Sequence, residues 1–185
     1  MLAEHLTLRQ KGRKAKERLK DAIDGRHAMK KAKKFGNMID PESEDFQIDQ
    51  WPFYGIVRLA GRYHLRLDAV LKPINMDVPR WRVLMILATG EPATVTEISG
   101  IAVTKMSTMA KIIQRMVSQK LVVTRTAADD GRSTEVLITS EGQRVRDLIR
   151  SKVARVSKQA FQDISETELR ALNHMTRKVF DNLSP

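Results

Sequence analysis

From Trp51 onward, apolar residues recur every three or four positions, at Ile56, Leu59, Tyr63, Leu67, Val70, Leu71 and Ile74, which predicts a long amphipathic helix. Asn75-Met76-Asp77-Val78 interrupts it. Pro79, suited to a first helical turn, then opens a second helix through Trp81, Val83, Leu84, Ile86 and Leu87, which Gly90-Glu91-Pro92 ends. Thr94-Val95-Thr96-Glu97 has the spacing of a capping box, in which hydroxyl and carboxylate satisfy free amides at a helix start. The helix it opens is short, because Gly100 and Ile101-Ala102-Val103-Thr104 form a plausible turn into the next one. That next helix has Met109, Ile112, Ile113, Met116 and Val117 at helical spacing on one face. Its other face carries Lys105, Ser107, Thr108, Lys111 and Arg115.

The periodicity then shifts. Residues 121–126 and 134–139 are rich in β-branched side chains and flank the turn-forming stretch Ala127-Ala128-Asp129-Asp130-Gly131-Arg132-Ser133, which predicts a hairpin. Helical spacing returns with Val145, Leu148, Ile149, Val153, Val156, Ala160 and Ile164, behind a possible capping box at Ser140 and Gln143. A further box, Ser165-Glu166-Thr167-Glu168, starts a last helix with Leu169, Leu172, Met175, Val179 and Leu183 on one side. Short helix, turn, second helix and basic hairpin, in that order, outline a winged helix-turn-helix. The fold class expected is mainly α with a small β-hairpin wing, framed by long N- and C-terminal helices whose apolar stripes exceed what the module can cover. Those helices are expected to meet their counterparts in a second copy, and a twofold dimer would set two recognition helices about 34 Å apart, one turn of B-DNA.

Charge divides the chain further. Residues 1–36 hold 12 Lys and Arg against 4 acids, whereas residues 37–50 carry five acids (Asp40, Glu42, Glu44, Asp45, Asp49) and no Lys or Arg. The remainder is again basic, so the basic character survives removal of the tail, and the formal net charge of +11 for the whole chain favours a polyanionic partner. The organisation expected is therefore a basic extension (1–36), an acidic linker (37–50), an N-terminal dimerisation helix (51–78), a winged helix DNA-binding domain (79–141) and C-terminal dimerisation helices (142–185). The extension has three readings: a DNA-contacting arm, an extra helix covering the dimer, or a solvated segment.

Several chemistries are disfavoured. The 185 residues include no cysteine, which removes disulfides, thiol sensing, cysteine nucleophiles and Cys-ligated zinc. His5, His27, His64 and His174 are scattered without metal-ligand spacing, so neither a metal nor another cofactor is expected. A Gly-rich phosphate loop, a His-x-x-x-His pair and a Gly-x-Ser-x-Gly elbow are all missing, which argues against an enzyme. There is no apolar run long enough for a membrane span, and the basic N-terminus lacks the apolar segment of a secretory signal, so a cytoplasmic protein with no membrane partner is expected.

The order of elements resembles the MarR family of bacterial transcriptional regulators over about residues 51–183. The resemblance is carried by Trp81-Arg82-Val83-Leu84, by residues 104–122 across the recognition helix, by Asp130-Gly131-Arg132 in the wing, and by Thr139-Ser140-Glu141-Gly142, which is similar to the family's Leu-Thr-x-x-Gly with Ile138 in the place of Leu. It does not extend to the first 50 residues. It implies a dimeric regulator, usually a repressor, released from double-stranded DNA by a small, often aromatic, ligand bound between the dimerisation and DNA-binding regions.

On this reading Lys105, Ser107, Thr108 and Lys111 lie in the first turns of the recognition helix, where side chains reach base edges and phosphates, rather than forming a merely solvated face. Arg115, later in the helix, is either a phosphate contact or a surface ion pair. Arg125 and Arg132 flank the wing tip, where guanidinium groups can enter a narrow minor groove. Asp130 is read as bracing the wing loop. Tyr54, Arg58, Arg62, His64, Arg66 and Trp81 bring rings and cations to the wall of an effector cleft, although Trp81 and Tyr63 also suit core packing. Met106, Met109 and Met116 are read as core filling rather than an oxidation sensor. The expected function is a sequence-specific, ligand-responsive repressor acting on a palindromic operator as a homodimer. The alternative is a non-specific nucleic-acid-binding architectural protein driven by the basic tail.

Overall fold

The computed structural model describes residue 36 and residues 38–127 and 131–184. The chain divides into two compact units, residues 1–62 and 63–185, with the boundary inside the first long helix. In order, the described elements are α1 (Pro52–Leu71), α2 (Val78–Ile86), β1 (Ala93–Thr94), α3 (Val95–Ile101), α4 (Met106–Ser118), β2 (Val122–Thr126), β3 (Thr134–Ile138), α5 (Ser140–Ala160) and α6 (Glu166–Asn182). Short 3-10 turns at Ile48–Gln50, Lys72–Ile74 and Leu87–Thr89 lie beside α1 and α2. The fold is thus mainly helical with a small antiparallel sheet, ordered β1-β3-β2.

Local chemistry accounts for most element boundaries. In the first unit, Phe46, Trp51 and Phe53 meet edge to face ahead of α1, with ring centroids 5.9 and 5.7 Å apart. In the second unit α1 gives way to a 3-10 turn closed by Asn75 in the left-handed region (φ 55°). Asp77 caps α2 by accepting from the Arg80 amide at 2.9 Å, and Pro79 occupies the first turn, where a missing N–H costs nothing. Gly90 at φ 85° ends that segment. The capping boxes at Thr94/Glu97 and Ser165/Glu168 both form. The box expected at Ser140 and Gln143 does not: Thr139 is the N-cap, accepting from the Gly142 amide at 3.0 Å. The sheet also contains a strand that periodicity cannot reveal, since β1 is two residues long and pairs Ala93 with Val136. In the wing, Val122 faces Ile138 and Thr126 faces Thr134.

The core of the second unit joins Leu67 and Leu71 of α1, Trp81, Val83 and Leu84 of α2, Ile98 of α3, Met109, Ile113 and Met116 of α4, Val122 and Val136 of the sheet, and Ile149 of α5. Full burial of each such aliphatic side chain contributes about 1.5–3 kcal/mol. Met109 and Met116 are core residues, as their spacing suggested; Met106 is exposed. Three expected stripes are only partly covered. Ile56, Leu59 and Tyr63 on α1, Val117 on α4 and Leu148 on α5 are exposed, and α6 has no buried residue at all. Periodicity reports which side chains share a face, not what covers them.

The passage from wing to α5 is held by Thr139 and Gly142. The Thr139 hydroxyl donates to the carbonyls of Lys120 and Leu121, at 2.7 and 3.1 Å, and its amide also reaches Leu121 O. This brings Gly142 so near the Leu121 carbonyl that a Cβ would overlap the oxygen, and would lie 2.8 Å from Ile138 Cγ1. The Thr-x-x-Gly spacing is therefore a packing requirement. Gly142→Ala is expected to lower stability by about 1–3 kcal/mol, the range for overpacking a tight site, measurable by urea unfolding; wild-type stability would mean that the 120–121 backbone yields freely.

Candidate nucleic-acid interface and effector cleft

Residues 95–118 form the helix-turn-helix. Its turn is tight: the Val103 amide donates to Gly100 O at 3.0 Å, the Thr104 amide to Ser99 O at 2.9 Å, and the Thr104 hydroxyl to Ala102 O at 3.1 Å. Val103 sits at φ 49°, a left-handed conformation that a β-branched residue rarely adopts. Beyond the turn, α4 buries Met109, Ile113 and Met116 and turns Lys105, Ser107, Thr108, Lys111 and Arg115 to solvent. One row of the helix anchors it and the opposite row offers cations and hydroxyls.

The other expected contacts have more specific surroundings. Arg115 Nη1 lies 3.7 Å from Asp77 Oδ2, so it makes an ion pair. Arg125 and Glu135 are register partners across the wing and pair at 2.7 Å. Arg132 is exposed beside the wing turn, where Ala127 N donates to Ser133 O at 2.9 Å. Asp130 lies outside the described residues, as does the basic extension.

Sequence reasoning missed a buried charge that steadies α4. Arg80 is only 3% exposed. Its Nε donates to Asp77 Oδ2 at 3.0 Å and its Nη1 to Gln119 Oε1 at 2.7 Å, which ties the start of α2 to the end of α4. The signal was present: Arg80 shares a helical face with Val83, Leu84 and Leu87, and an aspartate stands three residues before it. Partial burial raises the Asp77 pKa, but the bonds from the Arg80 amide and guanidinium, with the charges of Arg80 and Arg115, outweigh that and leave it below the usual value.

The effector candidates separate. Tyr54 and Arg58, in the first unit, form a cation–π pair at 5.3 Å, and Arg62 is an exposed residue of the same unit. In the second unit Arg66 donates to Gln159 Oε1 at 2.9 Å, and Trp81 is buried in the core. His64 lines a cleft of about 290 Å³ together with Asp68, Val78, Pro79 and Arg82. Asp68 follows His64 by one helical turn, and Arg82 stands on the polar side of α2. The lining combines a guanidinium, an imidazole and a carboxylate with two apolar side chains, so it suits a small molecule bearing an acid group, a donor and an apolar body.

Comparison with known proteins agrees with this architecture. The profile of the family described as MarR family matches residues 74–133. The chain is 38% identical over 144 residues to the HTH-type transcriptional repressor IacR of Pseudomonas putida, spanning 78% of this chain and 86% of that protein. Among solved structures, a MarR family transcriptional regulator from Silicibacter pomeroyi is similar at a TM-score of 0.69 and 22% identity, covering 77% of this chain and 97% of that one. The PcaV regulator of Streptomyces coelicolor, solved in complex with its natural ligand, is similar at 0.67 and 20%, covering 75% and 97%. At such identities these two likenesses concern the fold.

Asp77 sets a pH dependence. A carboxylate whose folded pKa is lowered adds stability above its unfolded value, about 3.9, and loses it as pH falls through the lower folded value. Wild type should therefore lose thermal stability more steeply than Asp77→Asn between about pH 4.5 and pH 2.5, with Asp77→Asn less stable at pH 7. Parallel melting curves in acid would dissociate Asp77 from the Arg80 bridge.

Proposed function

The chain belongs to the MarR family of transcriptional regulators, and from that premise we propose that it is a cytoplasmic, homodimeric repressor of a palindromic operator, released by a small acid bound in the His64, Asp68 and Arg82 cleft. The observation that carries the DNA-binding part is the division of α4: Met109, Ile113 and Met116 fix one face in the core, and Lys105, Ser107, Thr108 and Lys111 stand exposed on the other. Side chains at the start of such a helix are the ones that meet base edges when it enters the major groove. Lysines there also neutralise phosphates, and Arg132 extends the cationic surface at the wing.

Support for the dimer comes from apolar surface. Leu172, Met175, Val179, Phe180 and Leu183 are exposed on α6, and Ile56, Val57 and Leu59 on the first part of α1. Pairing with a second copy would remove both sets from water. Support for the effector comes from the lining of the cleft and from the ligand-bound state of PcaV.

Selection from random-sequence duplexes under rising salt tests the reading. An enriched palindrome with half-sites about 10 base pairs apart is the expected outcome; steeply salt-dependent retention with no enrichment would instead make this an architectural protein held by charge. On the selected site, Lys111→Ala and Arg132→Ala should each weaken binding while leaving the melting temperature unchanged, and loss of a phosphate contact should flatten the log affinity against log salt slope by about one unit. Wild-type affinity in either variant removes that residue from the interface.

A further inference from the structure

Among the described residues that line the cleft, Arg82 is the one whose hydrogen bond reaches the helix-turn-helix. Its Nη1 donates to Ala102 O at 3.2 Å. Ala102 is the C-cap of α3, and the same carbonyl accepts from Thr104 Oγ1 at 3.1 Å, so it anchors both ends of the turn. Between those residues stands Val103 at φ 49°. Such a conformation in a β-branched residue persists only when its surroundings hold it, and here the holding contacts are few enough to name. Three are backbone bonds, from Ala102 N to Ile98 O, Val103 N to Gly100 O and Thr104 N to Ser99 O. The other two both end on Ala102 O. One of these comes from within the turn, and the other crosses from α2.

We infer that Arg82 is the coupling residue of this regulator: its guanidinium holds the helix-turn-helix turn while the cleft is empty, and an acid entering the cleft draws it away. This rests on the reading of the cleft as the effector site. A ligand moves a conformational equilibrium only through contacts that differ between the two states. A guanidinium shared between a neutral carbonyl and a cleft supplies such a difference. A carboxylate binds it through two parallel N–H···O bonds with charge on both partners, where the carbonyl offers one bond and no net charge, and so competes for the plane of the guanidinium. The carbonyl of Ala102 then keeps only the Thr104 hydroxyl. Asp68 contributes the opposing charge, so a ligand that also donates an N–H or O–H to Asp68 leaves the Arg82 guanidinium to meet its acid group. With the turn released, α3 and α4 lose the fixed angle that sets Lys105, Ser107 and Thr108 on DNA.

The test uses the full chain on its selected operator, with benzoate and 4-hydroxybenzoate as probes. In wild type the acids should weaken DNA binding by at least fivefold, the lower end of ordinary coupling, and should speed amide hydrogen exchange at residues 103 and 104 relative to residue 113. Arg82→Ala should bind DNA as weakly as probe-saturated wild type and respond no further to either acid. Arg82→Lys, which keeps a cation but not the planar fork, should retain probe binding by calorimetry while its DNA affinity responds less than that of wild type. Wild-type DNA affinity in Arg82→Ala, an undiminished response in that variant, or unchanged exchange at residues 103 and 104 with probe bound would each overturn the inference and leave the cleft as an effector site. If Arg82→Ala does not fold, the exchange measurement on wild type decides alone. Absence of any probe binding to wild type would sink the cleft reading, and the coupling role with it.

Discussion

Arg80 stands in the core of the second unit with its guanidinium between Asp77 and Gln119, and the placement of α4 depends on that contact. A buried guanidinium must find partners, because an unpaired charge away from water costs several kcal/mol. Asp77 supplies one from the start of the same helix, and Gln119 supplies the other from the end of α4, so the second bond ties the two helices together. Solvent reaches Asp77, which screens the ion pair and reduces what the pair itself contributes. The constraint therefore lies in satisfying the arginine more than in attraction between charges. Apolar contacts among Leu84, Met109 and Met116 would tolerate small rotations of α4, whereas a bond of 2.7 Å to Gln119 does not.

This fixed end contrasts with the other end of α4. There the helix begins at Lys105 without a side-chain cap, after a turn in which Val103 is strained. One end is clamped by a buried charge and the other held by a few bonds to carbonyls. The exposed side chains of Lys105, Ser107 and Thr108 stand at the less restrained end. That asymmetry suits the proposed regulator, whose DNA-contacting residues would have to be positioned well and yet movable. The Arg80 clamp and the Arg82 contact arise two positions apart on α2, from opposite faces of it, so the same short helix supplies both the fixed end and the adjustable one.

The sequence made the order of elements legible because each signal was local. Thr94 with Glu97 and Ser165 with Glu168 write a helix start within four residues, and they cap as their spacing demands. Thr139 was harder to recognise as a cap, because the following Ser140 has the same chemistry and Gln143 stands at the box distance from it. What decided between them is nonlocal: the Thr139 hydroxyl bonds to Lys120 and Leu121, close in space only after the wing has folded. The surroundings of the effector candidates are nonlocal in the same way: Trp81 is buried in the core and Arg66 bonds to Gln159, 93 residues away, and neither contact is written in the local sequence. Arg80 was overlooked because arginine is read as a surface residue, although its spacing to Val83, Leu84 and Leu87 marked it as inward.

The cations of α4 and the wing then fall into two kinds. Arg115 and Arg125 already hold carboxylates, Asp77 at 3.7 Å and Glu135 at 2.7 Å, whereas Lys105 and Lys111 have no such partner among the described residues. A phosphate approaching Arg125 must meet the Glu135 charge as well, so the net attraction there is small at a distance and depends on close geometry. A lysine without a carboxylate beside it acts as a point charge from the first encounter. If α4 and the wing bind DNA as proposed, the lysines are suited to drawing it in and to most of the counterion release, and the paired arginines to fixing register once the duplex has arrived. Affinity and orientation are then separable on that reading, because the same positive charge has been placed in two different electrostatic settings.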